Sequence, residues 1–119
     1  MKRPSHKELN NKIRQAREAV LEDRIGIVDP VSIAADALEL GHLIEDIENV
    51  LYEVLNEITP PDYAGQRPPQ RSYEDKIKDC ELFAFRWVSK RLGCEVYLKF
   101  TLKDDKMWLV SFHQHREGE

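Results

Sequence analysis

Gly93-Cys94-Glu95-Val96-Tyr97-Leu98-Lys99-Phe100-Thr101-Leu102-Lys103-Asp104-Asp105-Lys106-Met107-Trp108-Leu109-Val110-Ser111-Phe112-His113 decides the fold, because it reads as a β-hairpin with one apolar face and one face of ionisable groups. Val96, Leu98, Phe100 and Leu102 alternate with Tyr97, Lys99, Thr101 and Lys103. Beyond the turn, Trp108, Val110 and Phe112 alternate with Leu109, Ser111 and His113. A period of two is the pattern of a half-buried strand.

Turn length sets the register. A two-residue loop at Asp104-Asp105 sets Tyr97 opposite Phe112 and mixes core and polar residues on each face. A three-residue loop, Asp104-Asp105-Lys106, sets Tyr97 opposite His113 and Lys99 opposite Ser111, and it keeps Val96 to Leu102 on one face with Trp108, Val110 and Phe112. A one-residue slip would carry a whole apolar set into water. Several large side chains at roughly 1.5 to 3 kcal/mol each outweigh a turn preference. The longer loop is therefore expected, although it favours Gly at the left-handed position that Lys106 would occupy.

Glu81 to Val88 supplies a neighbouring strand, in which Phe83, Phe85 and Trp87 alternate with Leu82, Ala84 and Arg86. With Leu92-Gly93 as the turn, Trp87 pairs with Leu98, Phe85 with Phe100 and Phe83 with Leu102, and Arg86 comes beside Lys99 and diagonal to Tyr97. The expected sheet is antiparallel and runs in the order 80s, 90s, 110s.

Helices account for the first half. Ser5 and Glu8 form a capping box ahead of Leu9, Ile13, Ala16 and Val20, giving a helix over roughly 6–24 that Gly26 interrupts. Asp29-Pro30 caps and starts a second helix, faced by Ile33, Ala34, Ala37 and Leu38 and closed at Gly41. Leu43, Ile44, Ile47, Val50, Leu51, Val54, Leu55 and Ile58 form the apolar stripe of a third, opposite a solvated acidic face. The whole is an α+β fold with N-terminal helices packed on one face of a small antiparallel sheet. One domain is expected over 1–119, with a helical part at 1–58, a proline-rich loop at 59–72 and the sheet at 73–116.

Composition narrows the function. Net charge is −4, against a protein that simply coats nucleic acid, but residues 1–58 hold seven Lys/Arg and twelve Asp/Glu whereas 59–119 hold eleven and ten. A local phosphate-attracting site fits the second half. No apolar run reaches membrane-spanning length and Met1 to Glu8 contains no apolar signal segment, so a cytoplasmic location is expected. Cys80 and Cys94 fall at opposite ends of an antiparallel pair, too far apart for a disulfide, and neither has metal-site spacing. No phosphate loop or nucleophile elbow occurs, and no cofactor or metal is expected.

The loop from Thr59 to Ser72 carries four prolines and a glycine. It reads either as a substrate-contacting rim, with Arg67, Arg71 and Tyr63, or as a stiff connector with its arginines in water. Arg67, Arg71 and Lys90 are the candidate RNA-binding cations. His6 and His42, in the helical half, read as solvated surface residues.

On the open sheet face the register gathers Arg86, Tyr97, Lys99, Ser111 and His113. Cutting RNA without a metal takes a base for the 2′-hydroxyl, an acid for the departing 5′-oxygen and positive charge for the phosphate. His113 suits either proton transfer, Tyr97 can donate a proton or orient the phosphate, and Arg86 and Lys99 suit the phosphoryl oxygens. The same residues also serve as ordinary cross-strand pairs on a solvated sheet. Tyr63, Tyr73 and Trp108 either stack bases or pack.

Val96-Tyr97-Leu98-Lys99-Phe100-Thr101 with Leu109-Val110-Ser111-Phe112-His113 resembles the end of the MqsR family of toxins, mRNA interferases of the broader RelE-like group. A weaker likeness covers Leu40-Gly41, the helix around Asn49-Val50-Leu51, and Asp62-Tyr63. The resemblance implies a RelE-like ribonuclease that cuts messenger RNA without a metal and is silenced by a cognate antitoxin protein. It implies catalytic roles for Tyr97, matching the family's tyrosine, and for His113, which stands where the family has a strand lysine. Ala84 occupies the place of the family's glutamine, with Arg86 one step along the same face, and Arg67 or Arg71 is the substitute for a further lysine. The alternative on the same scaffold is a non-catalytic protein- or RNA-binding module. A third is a small-molecule enzyme using the same face.

Overall fold

A computed structural model describes residues 5–115. The chain forms α1 (His6–Leu21), β1 (Ile25–Ile27), α2 (Pro30–Glu39), α3 (Ile47–Leu55), β2 (Phe83–Ser89), β3 (Cys94–Lys103) and β4 (Lys106–Gln114), with short 3-10 turns at Ile44–Asp46, Pro60–Asp62 and Asp75–Ile77. The fold is α+β. Its sheet is mixed, in the order β1-β4-β3-β2: the expected antiparallel β2, β3 and β4, joined by a parallel edge strand β1 from inside the helical half.

The helix caps follow the sequence. The Ser5 hydroxyl accepts from the Glu8 amide at 3.1 Å, and the Asp29 carboxylate accepts from the Ser32 amide at 3.2 Å and the Ser32 hydroxyl at 2.8 Å. That last hydroxyl bond, followed by the amide bond, holds the Asp29 carboxyl below its ordinary value. Helix α1 ends at Leu21, earlier than expected, because Asp23 takes a positive φ and turns the chain into β1. The third helix opens as a 3-10 turn, leaving Leu43 more than half exposed instead of in the stripe.

Apolar faces of α1 and α3 meet Phe83, Phe85, Trp87, Leu98, Phe100, Leu109 and Phe112 in one core. Phe85 and Phe100 stack with centroids 5.9 Å apart, and both are fully buried. Each such side chain contributes roughly 1.5–3 kcal/mol.

Hairpin geometry corrects the expected turn. Lys103 pairs with Lys106, so the loop is the two-residue Asp104-Asp105, both at positive φ (52° and 61°). Positive φ at both central residues is the mirror-type turn whose twist suits a hairpin, and aspartate tolerates it. The register then shifts: Phe100 pairs with Leu109 but Lys99 pairs with Ser111, so Val110 is the extra residue of a β-bulge. Beyond the bulge Tyr97 faces His113, as expected from the other loop. Before it, Met107 and Leu109 take the core positions assigned to Trp108 and Val110, and Trp108 lies on the outer face opposite Thr101.

Gly26 lies beside Trp108, where a Cβ would come within 2.5 Å of the indole ring. The β2–β3 pairing is offset by two residues from expectation: Phe83 meets Phe100, Phe85 meets Leu98 and Trp87 meets Val96. The turn is longer than Leu92-Gly93 alone, and Glu57 fixes it. That carboxylate accepts from Trp87 Nε1 at 2.9 Å, Ser89 Oγ at 2.7 Å and the Arg91 amide at 2.8 Å.

Candidate functional site on the outer sheet face

The site is built by β2, β3 and the proline-rich segment. That segment runs along the free edge of β2: the Ala64 amide donates to the Ala84 carbonyl at 2.8 Å, and the Leu82 amide to the Gln70 carbonyl at 2.7 Å. Tyr63 anchors it from the core side, packing edge-on to Phe85 at 5.7 Å and donating its hydroxyl to the Gln66 carbonyl. Gly65 is required there, since a Cβ would sit 2.6 Å from that hydroxyl. The segment is thus a rim held by the sheet, and Tyr63 is its buried anchor. Burial pushes the Tyr63 phenol above its ordinary value, against the opposing Arg67 cation, with Glu81 and Tyr97 adding to the rise.

Tyr97 and His113 are direct cross-strand partners whose rings stack 5.4 Å apart at 24°. The Lys99 ammonium lies 6.0 Å from the Tyr97 ring centre, and Ser111 pairs with Lys99 on the neighbouring strand. His113 is covered more than a solvated face would leave it, at 5% exposure, although its pairing sets it on the same sheet face as Tyr97. Its Nδ1 is 2.8 Å from the Gln114 carbonyl. A carbonyl only accepts, so Nδ1 carries the proton and Nε2 is the basic nitrogen of the neutral ring.

Arg86 stands directly opposite Tyr97, with Ala84 opposite Lys99, a shift from the expected diagonal placement. The Arg86 guanidinium pairs with Glu95 at 3.7 Å, a partner the sequence reading did not assign. Arg67 lies over the Tyr63 ring, 4.9 Å from its centre, at the rim. Arg71 donates to the Asp79 carbonyl at 3.3 Å, away from the cluster. Lys90 lies in the turn docked on Glu57 and is also outside it. His42 is half-buried with its ring 6.1 Å from that of Phe112, so it is a packing residue and not the solvated one expected, whereas His6 is exposed.

Two residues absent from the sequence reading border the site. Gln66 and Gln70 line a cleft of about 220 Å³ with Ala84, Tyr97 and Lys99. Nothing in their spacing announces it, because only the pairing of the rim with β2 brings them there. Among the described residues, no group of three or more His, Cys, Asp or Glu is placed to hold a metal ion, and no helix is long and apolar enough to cross a membrane. No protein-family model matches the chain, and no curated protein matches its sequence.

Proposed function

We propose that the protein is a toxin-like, metal-independent endoribonuclease acting on messenger RNA in the cytoplasm and neutralised by a cognate antitoxin protein. The observation that carries the reading is the stacked Tyr97–His113 pair beside the Lys99 ammonium. His113 Nε2 takes the proton of the 2′-hydroxyl as its oxygen attacks phosphorus. The bond to the 5′-oxygen breaks, a 2′,3′-cyclic phosphate forms, and the Tyr97 hydroxyl protonates the leaving oxygen. Lys99 stabilises the charge gathering on the phosphoryl oxygens, with Arg86 in support once Glu95 releases it.

Purified protein in chelating buffer is expected to cut mRNA, and His113→Ala and Tyr97→Phe are expected to abolish cutting. Equal cutting by all three rejects the reading. The low exposure of His113 favours a second reading, a non-catalytic RNA-binding module on the same face. RNA binding with no cleavage in any buffer selects it.

A further inference from the structure

We propose that the cleft over Ala84 binds a single adenine base of RNA, read by the carboxamides of Gln66 and Gln70. The inference rests on the reading of the Tyr97–His113 site as one that acts on RNA.

Both glutamines are exposed, and their side chains make no hydrogen bond among the described residues, while their main-chain carbonyls are fixed by Tyr63 and by Leu82. The frame is therefore set and the amide groups are unspent. A carboxamide offers a donor and an acceptor side by side. Phosphate oxygens only accept, so they would use the NH2 half of an amide and leave its carbonyl unmatched, whereas Lys99, which only donates, suits them fully.

A base edge presents both kinds of group. Adenine places its N7 acceptor beside its N6 amino donor, the pair that glutamine meets with two hydrogen bonds. The floor suits a flat ring: Ala84 and Leu82 are 3% and 8% exposed and apolar. A volume of about 220 Å³ is below the roughly 300–1,000 Å³ of sites for drug-sized ligands, and fits a base with its sugar and phosphate outside, toward Lys99.

The test is a titration of ¹⁵N-labelled full-length protein with adenosine, cytidine, guanosine and uridine 5′-monophosphates. Adenosine monophosphate is expected to bind about 5- to 150-fold more tightly than the uridine nucleotide and to shift the side-chain amide signals of Gln66 and Gln70. In Gln70→Ala and Gln66→Ala, both surface changes, that preference is expected to fall toward unity.

Equal affinity for the four nucleotides, preference for another base, or no binding overturns the proposal without any variant being needed. Retention of the adenine preference in both variants also overturns it. Cleavage by a protein without base preference removes the adenine pocket and leaves the nuclease. Adenine binding by a protein that cuts nothing does the reverse.

Discussion

Tyr97 faces His113 across β3 and β4 because Val110 is extruded between Leu109 and Ser111. A two-residue turn and a straight ladder would set Tyr97 against Phe112. The bulge reverses the facing of every residue after it, so the tight turn and the segregated faces coexist. It also moves the outer-face role along β4 from Trp108 to Ser111 and His113.

Deleting Val110 removes the extra residue and is expected to leave a straight ladder in which Leu109 still meets Phe100, Ser111 meets Lys99, Phe112 meets Leu98 and His113 meets Tyr97. Phe112, 1% exposed, should stay in the core, so urea unfolding should not show the loss of about 3–5 kcal/mol that removal of a buried phenylalanine brings. Close proton contacts between residues 97 and 113 should persist in the NMR spectrum. Their disappearance, with a loss of that size, would show that Val110 is not the extra residue of the ladder.

How much of this was legible follows from where the signals lie. The Ser5 and Asp29 caps and the alternation in β3 are local, and the structure follows them. In β4 two apolar sets overlap: Met107 and Leu109 on one parity, Trp108, Val110 and Phe112 on the other. Alternation cannot choose between them, and the answer uses Met107 and Leu109 up to the bulge and Phe112 after it. Strand β1 spans three residues, too short for a period, and its parallel partner is some eighty positions away. Of the site, the Tyr97–His113 pairing was readable from the hairpin. The glutamine rim was not, since it depends on non-local pairing with β2.

Gly26→Ala tests the contact beneath Trp108. The new methyl would meet the indole at 2.5 Å, so the ring must lift or β1 must part from β4. Overpacking of this kind costs about 1–3 kcal/mol. A lower melting temperature with a changed near-ultraviolet circular dichroism signal is expected, whereas unaltered values would mean that the ring yields freely.

Glu57 makes stability depend on acid. Burial works to raise its pKa, but the bonds from Trp87, Ser89 and the backbone of Arg91 and Lys90 outweigh burial and hold the carboxyl below its ordinary value. A depressed folded value means the contribution is complete above the unfolded carboxyl range, about pH 4–5, and is lost as pH falls through the folded value. Glu57→Ala strands three donors and is expected to cost about 2–4 kcal/mol at pH 7. Stability followed from pH 7 to pH 3 should fall more steeply in the wild type than in Glu57→Gln, and parallel curves would remove Glu57 from the acid response.

Lys99→Ala separates charge stabilisation from proton transfer in the proposed cleavage. An ammonium 6.0 Å from the centre of the Tyr97 ring is placed to meet a phosphate that contacts the phenol. Charge gathers on that phosphate chiefly in the transition state, so removing the cation should lower kcat more than it raises KM. A loss of about 10²–10³ in kcat is expected, comparable to deletion of one oxyanion donor, with the pH–rate profile unchanged in shape. His113→Gln, which removes the base, should instead abolish cutting at every pH. A Lys99→Ala enzyme whose defect lies wholly in KM would assign the ammonium to RNA binding and leave the chemistry to Tyr97 and His113.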